Sequence, residues 1–468
     1  MKRQNGLIYY EKEVIMSDYN YYQTEKYNFF HKVFNSLNKV KYTIFFFGLG
    51  LWILSPILGI IPLLMFAQVN VSKRVMTKKQ KQSFLNGNFF TIFLVLFTIT
   101  IYASTYEVTS DLQVYLNIYN NLGNLPLFKY MESRNMEPIT FIIPNLIKTL
   151  FDANENHFIL VQALTINLAF ILIAIRFMPS YYPTIMLLNI TSSHYFMQLF
   201  LMRQFYAFIF LVIFIYTIRL WKKLVFSTLA ILTHSSSLLF IVIGMIFIPL
   251  INNQETKKSP FKLIRKFRKI INNFFRKKIF IYLFFLIVLT VLPILFVALQ
   301  NFSFLNQLLP VFSYKFLLYV NRGDDFTLGL NEGLWKRTIF DILILLPSII
   351  LIHPKDEKVS SFIWSVMFVF SLVSLISFYT FIPAFGRLTV FLSGLSGFFY
   401  TILLDSKQQI DRPNIFSFLI FVAIFTKILY FLYQTIFSSL QNTSLLWEGN
   451  PLGKNLVDYI QFLWSMIN

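Results

Sequence analysis

Apolar stretches recur along this chain at roughly 89–105, 156–177, 181–200, 204–218, 279–300, 338–352, 360–381, 388–404 and 414–437. Most approach the length that carries a helix across a bilayer, about 20 residues. In hydrocarbon every backbone polar group must be satisfied within the protein, and these runs lack the ten-residue alternation of an outer-membrane barrel. The expected fold is therefore all-α, a polytopic transmembrane helical bundle of about 11–13 spans. That count includes short helical hairpins, and helices lying at the external interface are expected beside the spans. Composition agrees: 56% of residues are hydrophobic, mean hydropathy is +0.62, and 57 Phe and 25 Tyr suit lipid-facing helices and interfacial belts.

The formal charge of +20 does not point to nucleic acid, because the cations are clustered at the ends of apolar runs. Ten of the 41 Lys and Arg residues lie between Lys257 and Lys278, and five more between Lys73 and Lys81. The positive-inside rule makes both clusters cytoplasmic. Acidic residues gather in other loops, Glu107 to Glu155 and Asp324 to Glu332, which then face outward. The resulting layout has a polar N-terminal segment at 1–41, too polar for a signal peptide, and one transmembrane domain over 42–437. External loops fall at about 106–155 and 301–337, a basic cytoplasmic loop at 252–278, and an external tail at 438–468. The basic loop reads as an anionic-lipid contact. Cys is absent, which excludes disulfides and thiolate metal sites.

Two segments, Tyr42–Val69 and Leu224–Ile251, have basic residues on both sides yet are too short for two full spans of about 20 residues each. Charge parity makes them short hairpins. Their breaks fall at Ser55-Pro56 and at His234-Ser235-Ser236-Ser237. Outside the spans, Pro138–Phe151 is apolar enough to lie along the interface, and Leu456–Ile467 is an amphipathic candidate in the tail.

Arg203 sits in an otherwise uncharged run from Tyr181 to Ile218. A guanidinium there must snorkel to headgroups or face a polar interior, and its planar fork matches phosphate oxygens. Asp111, Tyr115 and Tyr119 follow at i, i+4 and i+8, which puts a carboxylate and two phenols on one helix face. An N-cap aspartate on an amphipathic helix is the alternative. His234 stands at a hairpin break, where a simple polar turn is again the alternative. Arg387, after Phe385-Gly386, is a second outward arginine. Parity places Glu107, Asp111, Glu137, Arg203, His234 and Arg387 all at external span ends, an arrangement suited to an anionic lipid headgroup beside an activated hydroxyl.

In these elements the chain resembles the EpsG/Wzy-type bacterial polysaccharide polymerases, over roughly residues 89–400. The carriers are Tyr106, Asp111 and Tyr115 after a span, Glu137 before an apolar segment, Arg203-Gln204 opening a helix, His234 and Ser236 in a short hairpin, and the later Arg387. Thr105 and Thr109 stand where the family pattern often has Arg and Gly. The resemblance implies transfer of a glycan from undecaprenyl pyrophosphate to a hydroxyl of another lipid-linked repeat unit, at the outer face of the bacterial cytoplasmic membrane. It implies no metal and no cofactor. Arg203, His234, Asp111 and Arg387 are the expected catalytic residues. Glu107, Tyr115, Tyr119, Glu137, Gln204 and Ser236 are the expected substrate contacts. Partners would be the lipid-linked oligosaccharide, membrane lipids and other polysaccharide-assembly proteins. The competing readings are a membrane glycosyltransferase using a polyprenyl-phosphate sugar, a glycan ligase, and a polysaccharide transporter or flippase. The last would place ionisable groups near the midplane and show repeat symmetry, which this sequence lacks.

Overall fold

The computed structural model describes residues 40–71, 78–105, 110–122, 137–151, 154–191, 198–199, 202–217, 219–234 and 451–467, with single positions or short pieces among 237–241, 397–401 and 422–430. Among these residues the structure is helical and contains no strand. Apolar stretches 279–300, 338–352 and 360–381 lie outside the described residues.

Helices α1 (Lys41–Leu54) and α2 (Pro56–Val71) form a hairpin broken at Ser55. Pro56 cannot continue α1, because it has no N–H to donate and disfavours helical backbone at the residue before it. The arms pack closely and antiparallel: a Cβ on Gly59 would stand 2.3 Å from the Trp52 Cα, and one on Gly48 would stand 3.2 Å from Leu63. Helix α3 (Lys78–Ser104) is tied to this hairpin where Trp52 Nε1 donates to Thr98 Oγ1 at 2.8 Å.

After α4 (Ser110–Asn121) and α5 (Ile139–Phe151) comes α6 (Glu155–Phe177), which touches α3, α4, α5 and most later helices. Its start is fixed by Asn154, whose side chain accepts from the His157 N–H at 2.9 Å. Glu155 in its first turn and Arg176 in its last complement the helix dipole. Phe158, Ile166 and Phe170 are buried on one side, and Leu164, Leu168 and Leu172 are exposed on the other. Among the described helices, α6 alone is long and apolar enough to cross a membrane, with a mean hydropathy of 2.5. Helices α1, α2 and α8, and the apolar part of α3, are shorter apolar segments.

Helix α7 (Tyr182–Ile190) ends well before residue 200, where the apolar run was expected to end. Thr191 closes the last turn: its hydroxyl donates back to the Leu188 carbonyl at 3.1 Å. Buried Gln68 joins α2 to the start of α7, donating to the Ser180 carbonyl at 2.9 Å and accepting from the Thr184 hydroxyl at 2.8 Å. Helices α8 (Met202–Tyr216) and α9 (Leu220–Thr233) pack on each other, and α8 also packs on α6. His234 terminates α9, and the rest of its expected hairpin lies largely outside the described residues. In the tail, α10 (Leu456–Ile467) packs on α1, α3 and α6.

Candidate functional site

Three segments remote in sequence meet around Arg203, the second residue of α8. Its Nη1 donates to Glu137 Oε2 at 2.6 Å, and its Nε donates to the Tyr115 hydroxyl at 3.0 Å. Both charged side chains are mostly shielded, 18% exposed for Arg203 and 12% for Glu137. A shielded ion pair is less screened than a surface one, and its charge-assisted hydrogen bonds fix the guanidinium plane. The guanidinium has five N–H donors. Among the described residues two serve Glu137 and Tyr115, and the fork has further donors that a ligand could use.

Helix α4 delivers Tyr115 because its inner face is apolar: Leu112, Leu116 and Tyr119 are buried beside it. Burial pushes the Tyr115 phenol above its ordinary range, with Arg203 pulling it down and Asp111 and Glu137 adding to the rise. The phenol therefore stays protonated and accepts from Arg203 with its own proton free to donate. Asp111, one turn earlier on α4, acts electrostatically on both Tyr115 and Arg203.

Lys148 secures α4 from the other side. Its ammonium, on α5, donates to the carbonyls of Tyr119 at 3.0 Å, Asn120 at 3.3 Å and Leu122 at 2.8 Å. These are C-terminal carbonyls left without helical donors, at the negative end of the helix dipole. The Tyr119 ring stacks on Phe158 of α6, with ring centroids 4.4 Å apart. Tyr119 is thereby part of the packing beneath the site.

The sequence-predicted residues divide accordingly. Arg203, Tyr115, Glu137 and Asp111 come together. Gln204 is buried, with Oε1 lacking a hydrogen-bond partner among the described residues. His234 caps α9, its N–H bonded to the Ala230 carbonyl, and α9 packs on α8 and touches α5. Glu107, Ser236 and Arg387 lie outside the described residues. No group of three or more His, Asp or Glu side chains able to hold a metal occurs among the described residues.

Two cations escaped the sequence reading. Lys148 lies within Pro138–Phe151, which was read only as an interfacial segment. Lys427 lies within the apolar run 414–437 and is buried, with its ammonium 5.5 Å from the Tyr400 ring centroid. A lone cation in an apolar run is the same signal that singled out Arg203.

The family comparison bears on this geometry. The EpsG family model matches residues 88–444, which include α4 through α9 and therefore all four residues brought together. The chain belongs to the EpsG family. No curated protein and no solved structure matches it. EpsG membership associates the chain with polysaccharide biosynthesis at a membrane and with polymerases of a glycosyltransferase-like kind. Within the EpsG match, α1, α2 and α10 are not covered, so the hairpin and the tail helix are features of this chain beyond the family segment.

Proposed function

We propose that this EpsG-family protein is a multi-span enzyme of the bacterial cytoplasmic membrane that polymerises lipid-linked oligosaccharide repeat units at the outer face. The reading rests on one observation above all: Arg203, Glu137 and Tyr115 converge from three distant segments onto one shielded, hydrogen-bonded locus. Shielding a cation is costly unless it is paired, and among the described residues this one uses two of its five donors.

In the proposed reaction, the acceptor hydroxyl oxygen bonds to the anomeric carbon of the growing glycan. The bond from that carbon to the undecaprenyl pyrophosphate oxygen breaks, and the pyrophosphate leaves with the electron pair. Arg203, with Arg387, binds the pyrophosphate and stabilises its developing charge, since preorganised donors act most strongly where charge appears. His234 or Asp111 takes the hydroxyl proton. Glu137 and Tyr115 hold the Arg203 fork in register, and Glu107, Gln204 and Ser236 contribute to the sugar-binding surroundings. The enzyme needs no metal in this scheme.

Deleting the Arg203 guanidinium tests the proposal. Cells carrying Arg203→Ala should accumulate single repeat units on lipid and lose polymer. Polymer of normal length in that strain would reject the assignment. Single-sugar extension products would favour a polyprenyl-phosphate-sugar transferase instead, and accumulation on the inner leaflet would favour a flippase.

A further inference from the structure

Helix α10 divides lengthwise into three sectors at about 100° per residue. Tyr459 and Met466 form a buried sector against the protein. Val457, Ile460, Trp464 and Ile467 form an apolar stripe on the outer side of the helix, and each is exposed. Asp458, Gln461 and Ser465 form a polar sector between the other two.

From this division we infer that α10 lies flat at the outer membrane surface, with its apolar stripe in the lipid and its polar sector in water. The inference rests on the reading of the chain as membrane-embedded. The apolar and polar sectors run side by side along the full helix, so the boundary between lipid and water runs parallel to the helix axis. A stripe of four large apolar side chains left in water is unfavourable. Trp at the middle of such a stripe suits the interface, where an apolar ring and a polar N–H are both satisfied.

A local cap fixes where the helix starts, and one bond ties its end to α6. At its start, the Asn455 side chain accepts from the N–H groups of Val457 and Asp458, while Asp458 Oδ2 accepts from the Asn455 N–H, a reciprocal cap. At its end, His157 Nε2 donates to the Ile467 carbonyl at 2.9 Å. His157 is in the first turn of α6, next to Phe158, on which Tyr119 stacks. The lipid is also the occupant that continuity favours, because Leu164, Leu168 and Leu172 carry an exposed apolar stripe along α6 from this same end. Helix α10 thus holds the first turn of α6, and with it the packing under Tyr115, at the level of the headgroups.

The chain has no Cys, so a single introduced cysteine carries a unique spin label. The full chain would be reconstituted in vesicles of phosphatidylethanolamine and phosphatidylglycerol and labelled in turn at Ile460, Trp464, Gln461, Ser465 and Leu168. Labels at Ile460 and Trp464 should be relaxed by oxygen and shielded from an aqueous nickel chelate, and the contrast should reverse at Gln461 and Ser465. Water access at Ile460 and Trp464 with lipid access at Leu168 would overturn the inference and leave the membrane reading intact. Water access at all of these positions would remove both. Labels at Ile460 and Trp464 that are immobile and shielded from both relaxants would also overturn it, by showing a second copy or another protein on the stripe.

Discussion

Arg203 and Glu137 meet at 2.6 Å across 66 residues of sequence, and Tyr115 closes the arrangement from 88 residues away. The guanidinium is thus oriented before any ligand arrives. Arg203→Ala should lower polymer formation on the order of 100-fold or more, the scale expected when a preorganised charge-stabilising donor is removed. Arg203→Lys should recover only part of this, because an ammonium cannot hold Glu137 and Tyr115 in one plane while donating to a phosphate. Gel analysis of chain length in cells expressing each variant checks both.

Removing Glu137 leaves Arg203 shielded and unpaired. Glu137→Ala should destabilise the protein by about 2 kcal/mol, in the range for a hydrogen bond to a charged group. Glu137→Gln keeps an acceptor and should lose less. Thermal unfolding of the purified protein in detergent compares them, and an equal loss in both variants would mean that charge, and not the hydrogen bond, orients the fork.

Tyr115 gives a pH prediction. Burial raises its pKa above the ordinary tyrosine value, so the unfolded chain releases this proton at a lower pH than the folded one. The raised value contributes stability that is fully present below about pH 10 and is lost as pH rises through the folded pKa. Tyr115→Phe should therefore weaken that alkaline decline, while costing about 1 kcal/mol at neutral pH through loss of the Arg203 Nε acceptor. Unfolding midpoints from pH 7 to 11 measure the difference.

Much of the helical framework was legible because local chemistry sets it. Pro56 marks the hairpin break, and α6 runs from Glu155 to Phe177 where an apolar run was expected at 156–177. The Asp111 and Tyr115 face was readable from helical spacing alone. Glu137 stood out by its place before an apolar segment, but its ion pair with Arg203 was not legible, since only the packing of α4, α5 and α8 brings the two side chains together. Tyr119 shows the same limit: its spacing matches Tyr115, but its ring packs on Phe158. Helix α7 ends at Ile190 because an apolar average hides the local polarity of Thr191, whose hydroxyl bonds back into the last turn.

Lys148 connects that packing to the site. Lys148→Met removes the donor to three carbonyls at the end of α4 and should cost about 1–2 kcal/mol. Amide exchange should quicken in α4 first, with the Arg203 contact to Tyr115 weakening as a consequence. Lys148→Arg restores a cation and should recover most of the protection. Exchange unchanged in α4 would show that the Tyr119 stack on Phe158 suffices to hold it.

The α1–α2 hairpin offers a test away from the site. Gly59 lies so close to α1 that a Cβ would stand 2.3 Å from the Trp52 Cα and 2.4 Å from its backbone nitrogen. Backbone cannot give way as a flexible side-chain end can, so Gly59→Ala must push the arms apart. Overpacking of this kind costs roughly 1–3 kcal/mol. Separation would also strain the Trp52 hydrogen bond to Thr98, which joins the hairpin to α3. Gly50, by contrast, has open space around its Cβ position, so Gly50→Ala should be neutral or stabilise α1 by up to about 1 kcal/mol. Opposite shifts in unfolding temperature for two glycines nine residues apart would establish the close crossing, and equal shifts would reject it.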